Sequence, residues 1–272
     1  MDSFSVERFM VYQGRRLYGF RIEGFSKPGI IAAIASLIAD KGLDITYFST
    51  TGTVRRGEWG GGIFFIDFTG SNMDPEDLAK ELKALEFVEK VEVIRPRFEG
   101  FIVDEASFPI TLGPHRAIIL SEPALKGFFI DFRERLGSGG EAMLYHIGRA
   151  VGAERARHVN ELAERIGVSR LKDRIIMGAL LFKSLGYGIP EILELREDPP
   201  YLRVRVYQCI ECELGGRATR PFSHYVRGIL AGYASEIFKQ ELFAMENRCL
   251  ALGDPYCEFE VKPREAISSF DV

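Results

Sequence analysis

Between Leu17 and Ile94 the spacing of apolar residues switches from every second position to every third or fourth and back, in the order strand, helix, strand, strand, helix, strand. Few architectures accept that order. The stretch LYGFRIEGF, Leu17 to Phe25, alternates as a strand with one buried face. Ser26-Lys27-Pro28-Gly29 interrupts it, and Ile30, Ile31, Ile34, Leu37 and Ile38 then recur at helical spacing until Lys41-Gly42 supplies a stop. Strands over Asp44 to Thr51 and Gly62 to Thr69 flank a glycine-rich polar stretch, Gly52 to Gly61, which suits a hairpin loop. Asp74-Pro75-Glu76 opens a second helix whose Leu78, Leu82 and Leu85 share a face, with acidic residues placed to favour the helix dipole. Val88 to Ile94 alternates again, and Pro96 closes the unit. The order predicts a ferredoxin-like βαββαβ domain, a four-stranded antiparallel sheet with two helices on one face.

Beyond Pro96 no period persists until His115, so Arg97 to Pro114 reads as a connector partly packed on one domain. A second pattern follows. Helices are expected over Glu122 to Leu136, Glu141 to Val151, Ala153 to Ile166 and Leu171 to Leu185, with a break at Gly137-Ser138-Gly139-Gly140. Strands are expected over Ile192 to Leu195, Leu202 to Cys209, Phe243 to Leu250 and Glu258 to Val261, with another helix over Val226 to Phe238. The fold class is therefore α+β, with a first domain at 14–97, a connector at 98–115 and a larger mixed α/β domain at 116–263. A chain of 272 residues has room for both cores.

Composition excludes several function classes. A net charge of −4 supplies no global basic field, and the apolar helix after Leu162 to Arg170 leaves little polar face to read bases, so no direct nucleic-acid binding is expected. No stretch approaches the roughly 20 apolar residues that span a bilayer, and the first residues lack a secretory core. A cytoplasmic protein without a membrane partner is expected. Neither Gly137 to Gly140 nor Gly60 to Gly62 carries the lysine and serine of a phosphate loop, and no serine, histidine and acid set sits in a nucleophile context. No catalytic residue is assigned.

The four cysteines fall in two pairs, Cys209-Ile-Glu-Cys212 and Cys249-x7-Cys257. Each pair lies beside a predicted strand of the same sheet, and four thiolates suit tetrahedral zinc. Buried free thiols and a disulfide are the other open readings.

Phe25-Ser26-Lys27-Pro28-Gly29-Ile30 leading into Ala-Ala-Ile-Ala, then Lys41-Gly42-Leu43-Asp44-Ile45, resembles the ACT family of amino-acid-sensing regulatory modules. The resemblance implies a ligand at Lys27, Pro28 and Gly29, where backbone amides at a helix start suit a carboxylate. It also implies that Asp44 and Ile45 lie near a neighbouring chain, hence a homodimer. A turn with no ligand is the competing reading.

Three segments of the second half together resemble the 4-vinyl reductase-like domain: Leu136 to Arg149, Leu185 to Ile192, and Gly228 to Tyr233 leading to Cys249 to Phe259. That resemblance implies a largely apolar cavity for a hydrophobic or aromatic small molecule, with His146 as a ligand contact or a structural residue. In zinc-bearing relatives a Glu-x-x-Cys-x7-Cys segment is joined by a cysteine just before a Gly-x-x-x-Gly helix. Glu246, Cys249 and Cys257 match, but Ser223 stands where that cysteine falls, so His224 or Cys212 would have to replace it. The expected function is a non-catalytic small-molecule sensor; the alternatives are a reductase-type enzyme acting on a hydrophobic substrate, or an adaptor for a separate transcription regulator.

Overall fold

In the computed structural model, which describes residues 5–50 and 55–266, the chain divides into a unit ending at Ile119 and a unit beginning at Leu120. The first unit opens with a short strand, β1 (Phe9–Val11), followed by β2 (Leu17–Phe25), α1 (Ile30–Asp40), β3 (Asp44–Thr50), β4 (Trp59–Asp67), α2 (Pro75–Lys83) and β5 (Val88–Ile94). The antiparallel sheet runs β3-β4-β2-β5, which is the ferredoxin-like arrangement. Alternation decides its two faces. Phe20, Ile22, Phe64 and Ile66 point at Ile34 and Ile38 of α1 and Leu78 and Leu82 of α2, and all eight are buried. Asp74 caps α2 by accepting the Glu76 amide at 2.9 Å, so the predicted start is observed.

Leu17, Ile63, Phe65 and Ile94 occupy the opposite face of the sheet. They are covered by Met10 of β1 and by Ile102 of β6 (Phe101–Val103), which pair antiparallel. Part of the stretch after Pro96 thus belongs to this unit's core. The strand expected from Gly62 begins earlier, at Trp59, because glycines at 60, 61 and 62 are compatible with a ladder as well as with a loop. Thr51 and the loop positions 52–54 lie outside the described residues. The unit closes with a two-residue ladder, β7 (Thr111–Leu112) against β8 (His115–Arg116).

The second unit begins with α3 (Glu122–Lys126), a π-helical turn at Gly127–Asp131 and α4 (Phe132–Leu136). Gly137, at φ 54° and ψ −134°, turns the chain into α5 (Ser138–Arg165), a single helix of 28 residues where two were expected. Gly152 does not end the helix. With Gly148 it faces Gly228 and Gly232, and a Cβ at 148, 152, 228 or 232 would lie 2.0 to 2.2 Å from a backbone oxygen of the facing helix. Glycine here permits close contact between helices.

Next come α6 (Leu171–Ser184), β9 (Ile189–Arg196), β10 (Tyr201–Tyr207), α7 (Ile210–Gly215), α8 (His224–Phe238), β11 (Phe243–Arg248) and β12 (Cys257–Lys262). The second sheet is antiparallel in the order β11-β12-β10-β9. Among the described residues, no helix is long and apolar enough to cross a membrane.

Candidate functional site

The sulfur-bearing site is assembled at the ends of three elements. Gln208 adopts a left-handed backbone at φ 51°, so the chain leaves β10 sharply and Cys209 becomes the cap of α7, one turn ahead of Cys212. Glu246 lies on β11, opposite Phe259 of β12. Cys249 follows β11, and a 3₁₀ turn at Leu250–Leu252 with Gly253 at φ 100° returns the chain to Cys257, the first residue of β12. The carboxylate of Asp254 fixes this return by accepting the Cys249 amide at 2.9 Å.

Four donors converge: Cys212, Glu246, Cys249 and Cys257 place one ligand atom each within 4.8 Å of one another. The Cys212 sulfur is 3.6 Å from that of Cys249 and 3.5 Å from that of Cys257. Sulfurs bound to one tetrahedral zinc at about 2.3 Å stand about 3.8 Å apart, so the donor set fits such an ion in number, type and spacing. Backbone amides already point at two of the sulfurs, Phe222 at Cys249 and Leu250 at Cys257, both at 3.4 Å. Such donors favour thiolate over thiol.

Ser223, at the start of α8, sits among these donors. Its hydroxyl lies 2.9 Å from the Cys212 sulfur and donates to Glu246 at 2.7 Å, while its amide donates to the same carboxylate at 3.1 Å. Burial, followed by the neighbouring Cys257 sulfur, raises the Glu246 carboxyl to about 8. Hydrogen bonds from Cys209, Cys212 and Cys249 pull the Cys257 thiol down, whereas hydrogen bonds with Cys209, Cys249 and Cys257 push Cys212 up. Without a cation, the first negative charge of the cluster therefore settles on Cys257.

Two of the six expected metal ligands stand outside this group. Cys209 is buried, but its sulfur comes no nearer than 3.9 Å to the Ser223 hydroxyl, because capping α7 keeps it one turn away from Cys212. His224 turns its ring away from the sulfurs: Nδ1 lies 3.1 Å from the Phe222 carbonyl and 3.2 Å from Arg133, and Nε2 faces Glu141. Burial, then the cations of Arg227 and Arg133, hold this imidazole down at about 4.

Beside the cysteines, in the same apolar cluster, lies a row of rings. Phe182, Tyr187 and Tyr225 follow one another at 5.1 and 6.4 Å between centroids, and Phe128 and Phe129 close on Tyr225 at 5.9 and 5.3 Å. Arg155 donates to the Tyr187 hydroxyl at 2.8 Å. Sequence reading missed this row, since its members come from four separate elements. It also missed the buried pair of Arg133 with Glu211 at 2.8 Å, whose partners are 78 residues apart. Glu211 accepts in addition the amides of Tyr225 and Val226, at 3.1 and 2.9 Å, and so ties α7 to the start of α8. His146 is exposed on α5 with its ring 5.6 Å from that of Tyr145.

In the first unit, Lys27, Pro28 and Gly29 form the turn before α1; Gly29 takes φ 87° and Lys27 pairs with Glu86 at 3.1 Å. Asp44 and Ile45 begin β3, beyond the other end of a helix of 11 residues, or about 16 Å of axial rise. Within one chain the two parts of the expected ligand site are separate.

Comparison with known proteins places an ACT domain at residues 20–87 and a vinyl-4-reductase (4-vinyl reductase) domain at residues 202–263. An uncharacterized protein of Methanocaldococcus jannaschii is 26% identical over 134 residues, covering 49% of this chain and 71% of the relative. Another from the same organism is 31% identical over 127 residues, covering 46% of this chain and 67% of the relative. Among solved structures, the phenol-responsive sensory domain of the transcription activator PoxR, with phenol, matches 62% of this chain and 82% of its own length at a TM-score of 0.51 and 17% identity. That likeness is one of fold.

Proposed function

We propose that this chain, an ACT domain joined to a vinyl-4-reductase domain, is a regulatory protein that senses small molecules. The observation that carries this reading is the pairing of the two domain types with a fold shared with a phenol-responsive sensory domain. In the vinyl-4-reductase half the ligand is a hydrophobic or aromatic compound held against the ring row of Phe182, Tyr187 and Tyr225, where Arg155 and the Tyr187 hydroxyl offer polar contact to its one polar group. In the ACT half the turn at Lys27 to Gly29 of one copy meets Asp44 and Ile45 of a second, in a homodimer.

Zinc is part of the proposal. Cys212, Glu246, Cys249 and Cys257 would hold it, with Cys212 supplying the ligand for which Ser223 lacks a sulfur. A bound cation would let all three thiols deprotonate together and would pin the ends of α7, β11 and β12. For ligand binding to regulate anything, it must favour one arrangement of the chain over another. The test is native mass spectrometry of protein purified without a metal-affinity tag, with thermal-shift measurements against phenol, small aromatics and amino acids. The expected result is a dimer with one zinc per chain, loss of that zinc in Cys249→Ser, and stabilisation by at least one aromatic compound. A metal-free monomer stabilised by no compound would end the reading.

A further inference from the structure

In the first unit, one end of the layer between α1 and the sheet holds no side chains from the strands. The residues of β2 that face α1 are Phe20, Ile22 and then Gly24; those of β4, read toward its start, are Ile66, Phe64, Gly62 and Gly60. In the register of the two strands Gly24 pairs with Gly60 and Ile22 with Gly62, so the three glycines form one contiguous patch. The same positions farther along the strands carry side chains that are 0 to 3% exposed. Above the glycine patch lies a cavity of about 320 Å³.

Backbone fit does not by itself explain this composition. A Cβ at Gly24 would lie 2.0 Å from the Phe87 carbonyl oxygen and one at Gly62 would lie 2.9 Å from that of Ser49, so both positions are held to glycine by close strands. Yet the walls around them do not collapse into the space. Ile22, Ile30, Ile34, Phe48 and Phe64 surround it, and Ile31, 44% exposed, stands at its rim. An interior normally packs without voids of this size, because atoms lining one forfeit their contacts.

The chemistry of the walls selects the occupant. Isoleucine and phenylalanine side chains and glycine backbone make most of the lining, and the polar lining is the hydroxyl residues Ser26 and Thr50 and Glu23. Glu23 already accepts from Arg21 at 2.5 Å, so it brings no uncompensated charge. The volume is at the lower end of small-molecule sites, about 300–1,000 Å³.

We infer that this cavity is a second small-molecule site, one that takes a compact apolar group, branched aliphatic or aromatic, entering beside Ile31 with any polar end toward Ser26 and Thr50. It is distinct from the turn at Lys27 to Gly29, none of whose residues lines it, and from the ring row of the second unit. It goes beyond the sensor reading by assigning the ligand class of the first unit from geometry.

The test is methyl NMR of the full chain with labelled isoleucine side chains, because Ile22, Ile30, Ile31 and Ile34 all line the cavity. The probes are L-leucine, L-phenylalanine and toluene, so that an amino acid is told from a simple hydrocarbon by which one acts. The expected result is saturable movement of these four signals by at least one probe at concentrations up to about 10 mM. Ile31→Trp, at the exposed rim, should weaken that response at least tenfold, while Ile31→Ala should keep it; unchanged Ile38 and Ile66 signals in both variants establish that the fold is intact. The inference is overturned if no probe moves the four signals, if Ile31→Trp responds as the unaltered protein does, or if movement is confined to Ile147 and Ile229 of the second unit. The last outcome would leave the sensor reading standing.

Discussion

The two units use glycine in opposite ways. In the second unit Gly148 and Gly152 of α5 meet Gly228 and Gly232 of α8, and each missing Cβ is space taken up by the backbone of the other helix. In the first unit Gly24, Gly60 and Gly62 leave a cavity of about 320 Å³ beside them. One set of glycines removes volume and the other set creates it. The lesson is that a glycine is informative only together with what occupies the position of its absent side chain. In a helix interior it costs about 1 kcal/mol relative to alanine, and the close contact of α5 with α8 is what offsets that cost.

The largest effect expected from this contrast is at Gly152. A Cβ there would stand 2.1 Å from the Ile229 oxygen and 2.8 Å from the Tyr233 amide, both backbone atoms that cannot swing aside. Gly152→Ala should therefore force the helices apart and cost the upper end of what overpacking costs, about 3–4 kcal/mol. Unfolding followed by denaturant, with probes in each unit, should show the loss in the second unit's transition alone. A Gly152→Ala protein as stable as the parent would mean that the helices are not in glycine contact.

A slightly smaller loss is expected where the second unit is closed by charge. Glu211 is fully buried, and burial raises its carboxyl even though the amides of Val226 and Tyr225, and then Arg133, oppose the rise. Arg133→Met removes the cation but leaves both amides, so the cost should fall near the low end for breaking a buried pair, about 3 kcal/mol at neutral pH. The sign with pH follows from linkage. A carboxyl whose folded pKa lies above its unfolded value loses stability as pH rises through that interval, and without Arg133 the folded value climbs further. The difference between variant and parent should thus be greater at pH 7 than at pH 4. A difference independent of pH would show that Arg133 acts through its stacking on Phe222, 3.7 Å away, rather than through its charge.

What could be read from the sequence follows the same division. The first unit was legible because each of its elements carries its own period, from Leu17 to Phe25 through Val88 to Ile94, and the fold needs only their order. Its cavity was not, since Gly60 to Gly62 satisfy a hairpin loop and a strand equally well until Gly24 is seen opposite Gly60. In the second unit Gly152 was read as the gap between two helices, a natural reading of an isolated glycine that lacks its partner across the interface. The pair spacings at Cys209 to Cys212 and Cys249 to Cys257 drew attention to the sulfurs. Which of them converge depended on the turn at Gln208 and on the register of β11 with β12, and neither leaves a trace in spacing. Arg133 with Glu211 had no local signal at all, being joined only when α4 and α7 pack around the start of α8.

The smallest effect separates conformation from contact. Gly29 resembles Gly152 in opening a question about a missing side chain, but nothing lies within 4 Å of where its Cβ would be, and its φ of 87° is a region that L residues rarely adopt. Gly29→Ala should therefore be penalised for backbone conformation only, by about 1 kcal/mol. The loss should appear in the first unit's transition and leave the second unit's untouched. Gly29→Asn, whose side chain tolerates left-handed backbone better, should recover part of it. A larger loss in Gly29→Ala, not relieved by asparagine, would place a neighbour over the turn, as the proposed dimer does with Asp44 and Ile45 of its second copy. Repeating the measurement across a hundredfold range of protein concentration then distinguishes the two causes, because a contact between copies weakens on dilution and backbone strain does not.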